Sequence, residues 1–149
     1  MVELATADNP QFRVTALEVE SAAPSYSVET VAALKEQSPA DDYVFIMSSE
    51  AAEGLPQWRE PERLLDLAEI AIVPRLGYEP ISRAWLDEQF PGRAARFTFV
   101  ETSHLGHSAT EVRTRLQEGR TIRYLVPPAV ETYIDDNNLY RRSGFDRSD

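Results

Sequence analysis

Short apolar runs and helical stripes take turns along this chain. Tyr43 to Met47 (YVFIM) is an unbroken apolar run, the pattern of a strand buried on both faces. Ile70 to Val73 is a second such run, and Arg96 to Val100 (RFTFV) a third short strand. Phe12 to Glu18 (FRVTALE) alternates Phe12, Val14 and Ala16, which predicts a further strand. Between these runs the apolar residues fall at helical spacing. Val28 to Leu34 forms a helix with Ser27 as its N-cap and Ser38-Pro39-Ala40 as its stop. Pro61 to Glu69 carries Leu64, Leu65 and Ala68 on one side, and Ile81 to Phe90 runs into Pro91-Gly92. Met1 to Ala7 groups Met1, Leu4 and Ala5 before Asp8-Asn9-Pro10 ends the pattern. Two turns without a cap do not hold themselves together in water, so this stretch has the look of the tail of a longer helix.

Strands that alternate with helices imply an α/β fold with a mostly parallel sheet covered on both faces. No internal repeat or linker interrupts the pattern, so residues 1–140 are expected to form a single domain. Arg141 to Asp149 (RRSGFDRSD) has the composition of a disordered tail.

The densest local chemistry lies in Thr102 to Ile134. Ser108 with Glu111 three residues later makes a capping box, Val112 and Leu116 share one helical face, and Gly119 is a left-handed stop. The first N–H groups of such a helix lack partners and its dipole favours an anion. Ser108, Thr110 and Arg113, which can lean back over the helix start, would then form a phosphate cradle. The same residues would equally serve as a plain helix cap.

Three loops follow the carboxyl ends of predicted strands, the edge where open α/β sheets bind ligands. They carry Ser25-Tyr26-Ser27, then Ser48-Ser49-Glu50 with Leu55 to Trp58, then Pro74-Arg75-Leu76-Gly77-Tyr78. Taken singly, Ser27 need only cap, Trp58 need only pack, and Arg75 need only be a solvated charge.

Composition narrows the function classes. With 149 residues, the chain is long enough for one domain with a real core. A net charge of −10 argues against a nucleic-acid backbone as partner but leaves room for a mononucleotide in one locally positive pocket. The chain has no cysteine, hence no disulfide framework and no thiolate metal site. No apolar run has membrane-spanning length and no signal sequence opens the chain, so the expected compartment is the cytoplasm and no membrane partner is expected. His104 and His107 have no carboxylate or third histidine beside them in sequence, which argues against a metal site.

Taken in order, these segments resemble the bacterial nicotinate-nucleotide adenylyltransferases. The resemblance runs from Met1 to about Tyr140. It rests on Asn9-Pro10-Gln11-Phe12, Ser25-Tyr26-Ser27-Val28-Glu29-Thr30, Ser48-Ser49-Glu50, Trp58, Arg75-Leu76-Gly77, Ser108-Ala109-Thr110-Glu111-Val112-Arg113 and Tyr124-Leu125-Val126-Pro127. It implies a Rossmann-like nucleotidyltransferase fold and adenylyl transfer from ATP, with Mg²⁺, to nicotinate mononucleotide in NAD biosynthesis. By the same resemblance Trp58 stacks on the nicotinate ring. Tyr26 belongs to the mononucleotide site, and backbone N–H groups near Ser27 and Arg59 hold the nicotinate carboxylate. Arg75 faces ligand phosphate. Ser108, Thr110 and Arg113 meet the ATP phosphates, and Ser48 and Glu50 stand against the adenosine ribose.

Three departures qualify it. Ala109 replaces a serine of the family's helix start, and Ser48 and Glu50 stand where the family has glycine and aspartate. The family's opening Gly-Gly-Thr-Phe-Asp-Pro-x-His-x-Gly-His loop has no counterpart, so the fold is expected to be N-terminally truncated, with no catalytic residue in the chain and no turnover by the chain alone. His104-Leu105-Gly106-His107 spells part of that motif, but in a different slot. The sequence leaves open a nicotinamide mononucleotide or phosphopantetheine acceptor, and a non-catalytic nucleotide-binding remnant. It does not give the oligomeric state.

Overall fold

The computed structural model describes residues 1–22, 24–74, 77, 80–101 and 108–141. The chain divides into two compact units, Ala16–His104 and Met1–Thr15 with Leu105–Asp149.

The first unit is built on a three-stranded parallel sheet of order β1-β2-β3, with β1 Val44–Ser48, β2 Glu69–Val73 and β3 Phe97–Phe99. The register sets Ile46 beside Ala71 and Ala71 beside Thr98. Side chains alternate across a strand, so Met47, Ile70, Ile72 and Phe97 share the other face. That face carries the core. It is buried with Val28 and Val31 of α2 (Ser27–Gln37), Ala52 of α3 (Ser49–Glu53), Leu64 and Leu65 of α4 (Pro61–Leu67) and Leu86 of α5 (Arg83–Gln89). The apolar periodicity of these helices places those residues inward, and their burial supplies most of the stability of the unit. Parallel pairing follows from the intervening helices, which return the chain to the same end of the sheet.

Two expectations fail here. Val44 is 57% and Ile46 68% exposed, so β1 is buried on one face rather than two. An unbroken apolar run records that both faces shun water, but burial needs a covering layer, and the helical core of the unit lies on the opposite face. Phe12 to Glu18 forms no strand; residues 12–16 have no regular structure and residues 17–19 turn. A strand exists only as part of a hydrogen-bonded ladder, and no other described strand runs beside this one, which leaves Phe12 61% exposed.

The second unit holds α1 (Val2–Thr6), α6 (Ala109–Gln117) and α7 (Pro128–Asp136) around a smaller cluster of Leu116, Ile122, Val130 and Ile134, with Ala5 and Val112 packed on it. α6 ends as its sequence requires. Gly119 takes φ +70°, its N–H donates to the Leu116 carbonyl, and the Arg120 N–H donates to the Arg115 carbonyl. Residues 142–149, expected to be a disordered tail, lie outside the described residues.

Candidate functional site

The segment from Gly54 to Pro61 fixes two of the expected ligand residues. Leu55, fully buried, anchors a short 3-10 turn, and Trp58 closes it by donating its N–H to the Leu55 carbonyl. Glu60 then adopts a left-handed conformation (φ 48°), unusual for a residue with a side chain, before Pro61 opens α4. This sharp turn throws Trp58 and Arg59 to the side of the unit where α2 begins.

There they meet Tyr26 and Ser27. Ser25 to Val28 on one wall and Gln57 to Arg59 on the other line an open hollow of about 320 Å³. Trp58 is half-buried. It meets Phe45 edge-on at 6.1 Å and packs against the core, while the same residue lines the hollow. Packing and lining are therefore one role, since the contact with Phe45 holds the indole in place. The Arg59 guanidinium lies 4.5 Å from the centre of the Tyr26 ring and pairs with Glu29 at 3.4 Å. The sequence expectation for α2 needs correcting. Tyr26, extended at φ −117°, is the N-cap and Ser27 is already helical, so no side chain caps the helix. The Glu29 N–H donates to the Tyr26 carbonyl at 2.9 Å, and the Ser27 and Val28 N–H groups have no side-chain acceptor, beside an aromatic wall and an arginine.

The helix start at Ser108 is built as its sequence predicts. The Ser108 hydroxyl accepts the Glu111 N–H at 3.1 Å, and Arg113 donates to the Thr110 hydroxyl at 3.4 Å, leaning back toward the start. The capping box is completed on one side only, since the Glu111 carboxylate accepts from Arg115. These three residues belong to the second unit, and Tyr26, Ser27, Trp58 and Arg59 to the first.

Ser48 and Glu50 open α3 at the carboxyl end of β1, where the Ser48 hydroxyl accepts the Ala51 N–H at 3.2 Å. Sequence reasoning missed a neighbouring feature. Ser49 is buried and donates to the Val73 carbonyl at 3.2 Å, tying together the ends of β1 and β2. Beside it, Ile72, Ile81, Phe99 and Val100 line an apolar hollow of about 310 Å³. The signal for it was the apolar character of Ile81, which the sequence assigned only to a helix. Arg75, and the pair His104 and His107, lie outside the described residues.

A parallel sheet with hollows and helix starts beside it is the open α/β architecture whose ligands bind at the carboxyl edge of the strands. No family model matches the chain. It is 41% identical over 140 residues to a probable nicotinate-nucleotide adenylyltransferase of Herpetosiphon aurantiacus, covering 94% of this chain and 70% of that protein. It is 38% identical over 141 residues to one from Thermus thermophilus, covering 95% and 70%. Nicotinic acid mononucleotide adenylyltransferase of Plasmodium falciparum, solved with NaAD, superposes with a TM-score of 0.62 at 22% identity, over 81% of this chain and 60% of that one. The same enzyme solved with APC gives the same TM-score. The chain belongs to the nicotinate-nucleotide adenylyltransferase family. It spans 60% of the length of the solved relatives and 70% of the curated ones.

Proposed function

We propose that this chain binds the substrates of adenylyl transfer from ATP to nicotinate mononucleotide, the step that yields nicotinate adenine dinucleotide and pyrophosphate in NAD biosynthesis. The observation that carries the reading, beside family membership, is the hollow where Tyr26, Trp58 and Arg59 meet the uncapped start of α2. A flat pyridinium ring bearing a carboxylate is complementary to it. The indole face supplies stacking, and the first N–H groups of α2 supply donors for a carboxylate. Of the acceptors left open by the sequence, phosphopantetheine has no ring for Trp58 to stack on.

Each unit, taken by itself, carries groups suited to ATP: the carboxyl edge of the sheet in the first, the start of α6 in the second. In the first unit the apolar hollow beside Ser49 suits a purine, with Ser48 and Glu50 on either side of Ser49 in the chain; in the second, Ser108, Thr110 and Arg113 offer hydroxyls and a guanidinium to phosphate. Arg75 is retained as a phosphate ligand. In the reaction an oxygen of the mononucleotide phosphate attacks the α-phosphorus of ATP and pyrophosphate leaves. Such chemistry depends on alignment and on stabilising charge at the leaving group, and an arginine at the triphosphate supplies the second. Mg²⁺ enters the proposal as the companion of ATP. Among the described residues no group of three His, Cys, Asp or Glu side chains is placed to hold a metal ion. Among them, too, no helix is long and apolar enough to cross a membrane; the proposal places the enzyme in the cytoplasm with small molecules as its partners.

The test is a calorimetric titration of the 149-residue chain with nicotinate mononucleotide, paired with tryptophan fluorescence. Saturable heat is expected together with a fluorescence change that Trp58→Phe abolishes. A change that survives in Trp58→Phe would move the site to the surroundings of Trp85; no saturable heat would end the proposal.

A further inference from the structure

Among the described residues Arg59 is the only charged one lining the Trp58 hollow, and its guanidinium is already engaged. Glu29 holds it at 3.4 Å from the first turn of α2, while the Tyr26 ring supports it from the other side. Both ends of the pair are about half-exposed, 51% for Arg59 and 47% for Glu29, so neither is locked in place by packing. Glu29 also lines a second, adjoining hollow that contains Glu18, whose carboxylate accepts from the Thr30 hydroxyl at 2.6 Å. Negative charge thus stands directly behind a positively charged rim.

We propose that Glu29 tunes the choice between acidic and neutral pyridines by competing with the ligand for Arg59. The inference rests on the pyridine reading of the hollow and adds a positioning residue to it. An anionic ring substituent gains the guanidinium only by drawing it away from the Glu29 carboxylate, which also repels it at short range. A neutral carboxamide makes no such demand and leaves the pair intact. Glu29 is well suited to keep its position, because a carboxylate in the first turn is favoured by the helix dipole. Arg59 is well suited to move, because a guanidinium can slide across the face of a tyrosine at little cost. Glu29 thereby lowers affinity for the acid relative to the amide, and weakening the pair raises it.

The experiment measures dissociation constants of nicotinate mononucleotide and nicotinamide mononucleotide on the intact chain. The proteins are the wild type, Glu29→Gln, Glu29→Asp, Arg59→Gln and the Glu29→Gln, Arg59→Gln double variant. Both ligands carry the same ribose phosphate, so the amide subtracts any effect of Glu29 on that group. Exposed ion pairs are weak, so Glu29→Gln is expected to tighten the acid by about two- to fivefold and to leave the amide unchanged. Glu29→Asp keeps the charge but shortens its reach, and should fall between. In the Arg59→Gln background the gain should vanish. Equal changes for both ligands, or a gain that persists without Arg59, would overturn the competition. A wild type that binds both ligands without responding to Glu29→Gln would overturn this inference alone. A wild type that binds neither would remove the pyridine site itself.

Discussion

At the start of α6 the Ser108 hydroxyl takes up the Glu111 N–H, whereas at the start of α2 no side chain takes up anything. Both helices run for more than two turns and both begin within one residue of a serine. The difference is one position in the backbone. Ser108 is extended (φ −125°) and sits outside its helix, so its oxygen can reach the third N–H. Ser27 has already turned into its helix, and the extended residue is Tyr26, whose side chain cannot cap. At α6 a side chain takes the third N–H and leaves the first two, with Arg113 leaning toward them. At α2 the third N–H, that of Glu29, donates to the Tyr26 carbonyl at 2.9 Å instead, and the first two stand beside an aromatic wall. A capped start is a stable start; an uncapped one with a hollow above it is a better place to look for a ligand.

The largest effect that would break this contrast lies on the capped side. If Ser108 is occupied with its own helix, phosphate binding there depends on Arg113. Arg113→Ala should then weaken ATP by about ten- to a hundredfold, the range for losing a hydrogen bond to a charged group. Arg113→Lys should restore part of it, since a point charge cannot replace a planar fork. Titration calorimetry with ATP measures both. An affinity untouched by Arg113→Ala would reduce the α6 start to a helix cap.

On the uncapped side the next largest effect belongs to Trp58. Trp58→Ala should weaken nicotinate mononucleotide by roughly two- to tenfold beyond any effect on ATP, the value of one stacked ring. Because Trp58 also meets Phe45, circular dichroism must show that the variant is folded. Equal loss for both nucleotides would mean that the indole only packs.

The helices and the parallel sheet were legible because each has a local signature. Leu64 and Ala68 fall four residues apart, Gly119 stops α6, and Ile70 to Val73 declares a strand. The exposed side of β1 was not legible, because the apolar character of Val44 and Ile46 says that they avoid water and not what meets them. Phe12 to Glu18 misled for a related reason: alternation is a property of the residues, but pairing is a property of a neighbour. Within the site, Tyr26, Ser27, Trp58 and Arg59 were found by their place in a resemblance, and the structure gathers them around one hollow. The Arg59–Glu29 pair escaped notice, since no spacing rule links residues thirty apart on different elements. The capping difference had a partial signal. Ser108 has a glutamate three residues on, whereas Ser27 has Thr30. The signal works one way only, since Ser48 and Ser82 cap without such a glutamate.

The smallest effect is the one that tests the contrast most directly. Ser108→Ala removes a hydroxyl that satisfies a helix N–H, and such losses cost about 1 kcal/mol. Ser27→Ala removes a hydroxyl that caps nothing, at a position where alanine is a good helix former, and should stay within about 0.5 kcal/mol. The two helices lie in different compact units, so a single unfolding midpoint would blur them. Amide hydrogen exchange reports each helix separately. Exchange should quicken in the first turn of α6 on Ser108→Ala, by about fivefold for 1 kcal/mol, and stay nearly constant in α2 on Ser27→Ala. Affinity for nicotinate mononucleotide should also survive Ser27→Ala, because the donors assigned to the ligand are backbone groups that the substitution keeps. If Ser27→Ala instead quickens α2 as much as Ser108→Ala quickens α6, the Ser27 hydroxyl caps its helix in solution. The start of α2 would then be capped by a side chain as the start of α6 is.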